Sequence, residues 1–145
     1  MALWGRVRKI ELLSSMPLFS ACSQRELGQV VAVTVPGELP EGAVLTRQGQ
    51  KGGLAYVIAD GRAEVVRDGR RLATLGPGNV VGELSLIDGQ PRSATVRALT
   101  PLHVLEINSD DLNRLLRKAP SVRRKLLEAL SERLREADRL PTSRL

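Results

Sequence analysis

Cysteine is nearly absent from this chain. Cys22 stands alone among 145 residues, which excludes an internal disulfide and any cysteine-ligated cluster held by one copy. Histidine is as scarce. His103 is the only one, so neither a histidine metal triad nor the several inward ligands of a barrel metalloenzyme can be assembled, and no metal is expected. With one Trp, one Tyr and one Phe, aromatics make up 2% of the chain. That removes a stacking platform for single-stranded nucleic acid and leaves Leu, Val, Ile and Ala to build the core. No apolar run approaches the roughly 18 residues that would be read as a membrane span. No nucleophile–base arrangement is visible, so catalysis is not expected.

The length suits one domain over residues 1–145, large enough for a core without disulfides or metals. Near the N-terminus Arg6, Arg8 and Lys9 precede Leu12-Leu13, and Phe19-Ser20-Ala21-Cys22 follows with a loose likeness to a lipoprotein leader. Glu11, Ser14, Ser15 and Pro17 interrupt the continuous apolar stretch a leader requires. An amphipathic first helix, a buried Cys22 and a cytoplasmic chain are expected instead.

Residues 1–33 form a helical segment, with helices over 3–15 and 23–33. Ser23 followed by Glu26 reads as a capping box. Residues 34–107 are short strands between turn residues. Leu54, Tyr56 and Ile58 alternate with Ala55, Val57 and Ala59, so both faces are apolar, as inside a two-layered sheet. Asp68-Gly69 joins Glu64-Val65-Val66 to Arg71-Leu72-Ala73 as a hairpin, and Gly76-Pro77-Gly78 makes a further turn. Helices return over 108–140. Ser109 is placed as the cap of 110–118, and Pro120 opens a longer helix to about Leu140. The fold class is α+β, a small antiparallel β-barrel or jelly roll with an N-terminal helical segment and C-terminal helices.

In that last helix Leu127, Leu130, Leu134 and Ala137 make an a/d seam two heptads long. The seam either packs on the chain's own barrel or meets a second copy to form a homodimer. The net charge of +6 is concentrated here, with ten Lys/Arg against five Asp/Glu from Asp111 to Leu145. Only Pro141-Thr142-Ser143-Arg144-Leu145 follows the helix, too short for a reading helix, so sequence-specific DNA binding is not expected. Salt-sensitive attraction to acidic surfaces is compatible with the charge.

The chemistry concentrates at Gly82-Glu83-Leu84-Ser85-Leu86 and Pro91-Arg92-Ser93-Ala94-Thr95-Val96. Gly82 lets the backbone approach a ligand, and N–H groups opening a short helix behind it favour an anion. Arg92 can close the other side with two parallel N–H···O bonds. Glu83 beside an anion makes sense if the same ligand offers a hydroxyl. Phosphate plus sugar hydroxyl describes a nucleotide. The alternative is a Glu83–Arg92 pair near the surface, worth only about 0–1 kcal/mol.

These residues, with the Asp88-Gly89 turn between them, resemble the phosphate-binding cassette of the cyclic nucleotide-binding domain family. That family includes the bacterial catabolite activator, the protein kinase A regulatory subunit and cyclic nucleotide-gated channels. Met16-Pro17-Leu18-Phe19, Pro40-Glu41-Gly42-Ala43-Val44-Leu45, Gln48-Gly49, Gly61 and Gly76-Pro77-Gly78 fall at further family landmarks, so the likeness covers roughly residues 10–138. The resemblance implies that Glu83 accepts from the ribose 2′-hydroxyl and that Arg92 pairs with the exocyclic phosphate oxygens. The N–H groups of Leu84 and Ser85, and the Ser93 hydroxyl, would hold the phosphate. Val65, Leu72 and Val81 would pack on sugar and base. Without ligand, Arg92 is expected to face solvent.

Three departures bear on the base. Val80-Val81 stands where an aromatic is frequent, and Ser85 where Ala is common. Ala137 and Asp138 fall where the catabolite activator's long helix carries two adenine-reading hydroxyls. Arg133, one turn earlier, is either a stacking cover for the base or a solvated helix charge. Ser93 rather than Thr leans towards cAMP, with cGMP left open. The expected function is a cAMP sensor whose C-terminal helices move on binding and signal to an unidentified protein partner. The alternatives are a scaffold, a sensor of another nucleotide, or a regulatory domain excised from a channel or transcription regulator.

Overall fold

The computed structural model describes residues 5–83, 86 and 91–139, the side chains of 130 and 133–139 excepted. Helix α1 (Arg6–Ser14), a 3-10 turn (Pro17–Phe19) and helix α2 (Gln24–Val31) lead into the strands. These are β1 (Thr34–Leu39), β2 (Val44–Thr46), β3 (Leu54–Asp60), β4 (Ala63–Arg67), β5 (Arg70–Leu75), β6 (Val80–Val81), β7 (Thr95–Ala98) and β8 (Leu102–Asn108). Helices α3 (Ser109–Lys118) and α4 (Pro120–Arg139) follow.

The strands form two four-stranded antiparallel sheets, ordered β1–β8–β3–β6 and β2–β7–β4–β5. This is the expected jelly-roll arrangement. The alternation along β3 divides the core in two. Tyr56 and Ile58 point inward with Val81, Leu102 and Val104 to meet Leu45, Ala63, Val65, Val96 and Ala98 of the other sheet. Ala55, Val57 and Ala59, with Leu105 and Ile107 of β8, face outward against Leu13, Phe19, Val30, Leu112, Val122 and Leu126. A central strand buried on both faces therefore ties the roll to its helical cap.

Local signals read from the sequence take effect as written. Ser23 Oγ accepts from the Glu26 N–H at 3.2 Å while the Glu26 carboxylate accepts from the Ser23 N–H at 2.8 Å, completing the capping box of α2. Asp68 and Gly69 carry φ of 53° and 78°, the paired positive values that match a tight hairpin turn to the strand twist. The turn is clasped from outside. Gln48 Nε2 donates to Asp68 Oδ1 at 2.8 Å, and the Asp68 N–H donates to Gln48 Oε1 at 3.0 Å.

The C-terminal helices require corrections. The cap of α3 is Asn108, whose side chain accepts from the N–H groups of Asp110 and Asp111 at 2.8 and 3.4 Å, so Ser109 is the first helical residue. In α4 the residues that pack are Val122 and Leu126, while Leu127 is 54% exposed. The seam does not pack on the barrel at Leu127, because the helix turns the neighbouring stripe inward. The remainder of the seam, Leu130, Leu134 and Ala137, lies outside the described side chains. His103 sits on β8 as expected, its Nδ1 3.5 Å from the Glu38 carboxylate on β1. Cys22 is half-buried rather than buried, and burial raises its thiol pKa.

Candidate functional site

Arg92 stands between the β6 end of one sheet and β7 of the other, on backbone that is tightly held. Its N–H donates to Gln50 O at 2.9 Å, its carbonyl accepts from the Gly49 N–H at 2.8 Å, and Lys51 bridges to Pro91. The guanidinium does not face solvent. It is 6% exposed, and its Nη2 donates to Leu54 O at 2.6 Å. The expectation of a solvated arginine is overturned by two glycines. A Cβ at Gly52 would fall 2.1 Å from Arg92 Nε, and one at Gly82 would fall 2.1 Å from Nη1. Both positions are cleared for this side chain, and Gly82 also carries a φ of 78°, which L side chains rarely adopt.

Glu83 follows Gly82 and is likewise buried, at 5% exposure. Its Oε2 accepts from the backbone N–H of Leu18 at 2.9 Å. The carboxylate thus reaches out of the roll to the 3-10 turn. The reading of Glu83 and Arg92 as a pair near the surface does not hold, because both are inside. Arg92 borders a cavity of about 210 Å³ lined also by Leu45, Thr46, Gln50, Gly53 and Tyr56, among others. Burial and the Glu106 carboxylate raise the Tyr56 phenol pKa, with the nearby Arg92 charge opposing them.

The other expected residues are placed as follows. Ser93 is half-buried directly after Arg92. Val65 and Val81 are fully buried in the inter-sheet core, and Leu72 is 41% exposed on the edge strand β5. None of these three lines the cavity at Arg92 among the described residues. Leu84, Ser85 and the Arg133 side chain lie outside the described residues. The sequence reading missed Leu18, Gly52, the Leu54 carbonyl and Tyr56. Of these only Gly52, in the Gly52-Gly53 pair, carried a signal, since adjacent glycines mark close approach of another group.

Among the described residues no group of three or more His, Cys, Asp or Glu could hold a metal ion, and no helix is long and apolar enough to cross a membrane.

Two glycine-cleared sheet ends with a buried carboxylate and a buried guanidinium define a ligand-binding β-roll, and comparison with known proteins gives its family. The model of the cyclic nucleotide-binding domain matches residues 36–119, and this chain belongs to that family. A cyclic nucleotide-gated potassium channel of Rhizobium etli is 34% identical over 127 residues, 88% of this chain and 36% of the channel. The cyclic AMP receptor protein of Thermus thermophilus is 33% identical over 131 residues, 87% of this chain and 61% of that protein. The N-terminal domain of a transcriptional regulator from Streptomyces coelicolor A3(2) superposes with a TM-score of 0.77 at 35% identity. That match covers 88% of this chain and 92% of the other. The chain spans about a third to three-fifths of the length of these curated relatives. They are channels and regulators by name rather than enzymes.

Proposed function

We propose that this chain is a non-catalytic cyclic nucleotide sensor, preferring cAMP with cGMP as the second candidate, that signals through α4 to a protein partner in the cytoplasm. The observation that carries the reading is the seating of the Arg92 guanidinium against Gly52 and Gly82, where any side chain would collide with it. A buried cation held this firmly is pre-organised for an anion, and the adjacent Glu83 carboxylate supplies the hydroxyl acceptor that a ribose requires.

In this reading Arg92 pairs with the exocyclic oxygens of the cyclic phosphate, helped by the N–H groups of Leu84 and Ser85 and by the Ser93 hydroxyl. Glu83 accepts from the 2′-hydroxyl, Leu72 packs towards the base while Val65 and Val81 back the site from within the core, and Arg133 covers the base. The cavity of about 210 Å³ lies below the roughly 300 Å³ at which small-molecule pockets usually begin. It suits the sugar-phosphate and leaves the base outward.

The route to output runs through the N-terminal turn. Leu18, held by Glu83, belongs to the 3-10 turn against which α4 packs. A ligand that changes how Glu83 shares its lone pairs alters this support and so favours one placement of α4 over another. Calorimetric titration with cAMP, cGMP and linear AMP tests the reading. Micromolar or tighter cAMP binding with weak AMP binding is expected, and no heat at millimolar cAMP would refute it.

A further inference from the structure

The surface formed by α2 and the α3–α4 junction has a different chemistry from the nucleotide site. Between Leu112 and Leu127 the chain carries Arg114, Arg117, Lys118, Arg123, Arg124 and Lys125 with no acidic residue. All but Lys125 are exposed. Two cavities open along this surface and share Gln29 and Lys118 as a common wall. One, of about 440 Å³, is polar and cationic, with Ser23, Arg25, Ser121 and Lys125 around it. The other, of about 250 Å³, presents Ala32, Val33 and Leu115, with Asp111 and Arg114 at its rim.

The charges in the first cavity are not equivalent. Lys125 is 2.5 Å from the Glu26 carboxylate, so each neutralises the other. Among the described residues Arg25 and Lys118 have no ion-pair partner. They remain available to an incoming anion, and Lys118 stands on the wall between the two cavities.

We infer that this double cavity is a docking site for a peptide segment that presents an acidic side chain beside an apolar one. The acid would enter between Arg25 and Lys118, and the apolar side chain would cover Ala32, Val33 and Leu115. Charge alone would suit any polyanion. The apolar cavity next to it decides between them, because a phosphate backbone has no apolar group to place there, whereas neighbouring peptide side chains supply both. The inference does not rest on the nucleotide reading.

Fluorescence anisotropy on the nucleotide-free chain tests it, using a labelled peptide of alternating aspartate and leucine and an all-aspartate peptide of the same length. The alternating peptide should bind about tenfold tighter, the equivalent of burying one leucine side chain at the low end of its range. Added salt should weaken both. Arg25→Glu and Lys118→Glu, both at exposed positions, should abolish binding. Ala32→Gln should bring the alternating peptide down towards the all-aspartate one. Equal binding of the two peptides, binding of neither, or tighter binding of a duplex DNA oligonucleotide or phosphatidylserine vesicles would overturn the inference.

Discussion

Glu83 and Leu18, 65 residues apart, are joined by a hydrogen bond of 2.9 Å from the Leu18 backbone N–H to Glu83 Oε2. A carboxylate has two oxygens and several lone-pair sites, and in the proposed reading the same group also accepts a ligand hydroxyl. The bond also makes Glu83 part of the fold. Glu83→Ala should therefore lower stability without ligand by about 1–3 kcal/mol, the cost of leaving a buried N–H unsatisfied. Glu83→Gln retains an acceptor oxygen and should recover most of that stability. Urea unfolding of both variants separates the structural role from the ligand role, since each should lose cAMP affinity in titration.

Arg92→Ala should weaken cAMP binding by about 2–5 kcal/mol, the usual cost of truncating one partner of a buried charge pair. Because the guanidinium is buried and bonded to Leu54 O, the variant should also lose about 1.5–3 kcal/mol of stability in the absence of nucleotide. Gly52→Ala gives the complementary test. Its Cβ would displace Arg92 without needing an unusual φ, so affinity should fall while the fold survives. Titration and urea unfolding of the two variants distinguish a misplaced arginine from a missing one.

Much of this fold was legible because its signals are local. The β3 alternation, the Asp68-Gly69 turn and the Ser23–Glu26 box each lie within a few residues and follow from backbone geometry. The cassette pair Glu83 and Arg92 was legible as chemistry, from residue types at a fixed spacing. The burial of Arg92 was not, since it depends on Gly52, which lies 40 residues earlier in the connection between β2 and β3. Nor was the Leu18 contact, because a backbone N–H leaves no mark in a sequence. In α4, Leu126 and Leu127 are adjacent leucines, and only the placement of the helix against α2 and the 3-10 turn selects Leu126 for the core.

The Glu26–Lys125 pair fastens α2 to α4 and makes that junction sensitive to acid. Hydrogen bonds from Lys125, Ser121 and the Ser23 N–H hold the Glu26 carboxyl down to about 2, against an ordinary value of 4.5. A carboxyl depressed in the folded state binds its proton more readily when unfolded. Its contribution is therefore complete above about pH 4.5 and is lost as pH falls from there through about 2. Glu26→Gln should flatten the melting temperature against pH in that window relative to the unmodified chain. Lys125→Met should flatten it too, by letting the carboxyl return towards its ordinary value. Thermal melts at stepped pH measure both, and unchanged slopes would show that the pair does not fasten the helices.

Helix α4 should be the most ligand-responsive element outside the cassette. Its described anchors lie in its first turns. Val122 and Leu126 anchor the first turns, Lys125 reaches Glu26, and Leu127 is more than half exposed. The same turns rest on the 3-10 segment whose Leu18 N–H is held by Glu83. A helix whose first turns rest on a support that shares an acceptor with the ligand needs only a few kcal/mol of differential binding to change its population. Hydrogen exchange with and without saturating cAMP should show altered protection over residues 120–139 alongside protection at 82–93. Breaking the Glu26–Lys125 pair with Lys125→Met should enlarge the ligand-free exchange of the helix. If exchange over 120–139 is the same with and without ligand while the cassette is protected, α4 is not the output of this domain.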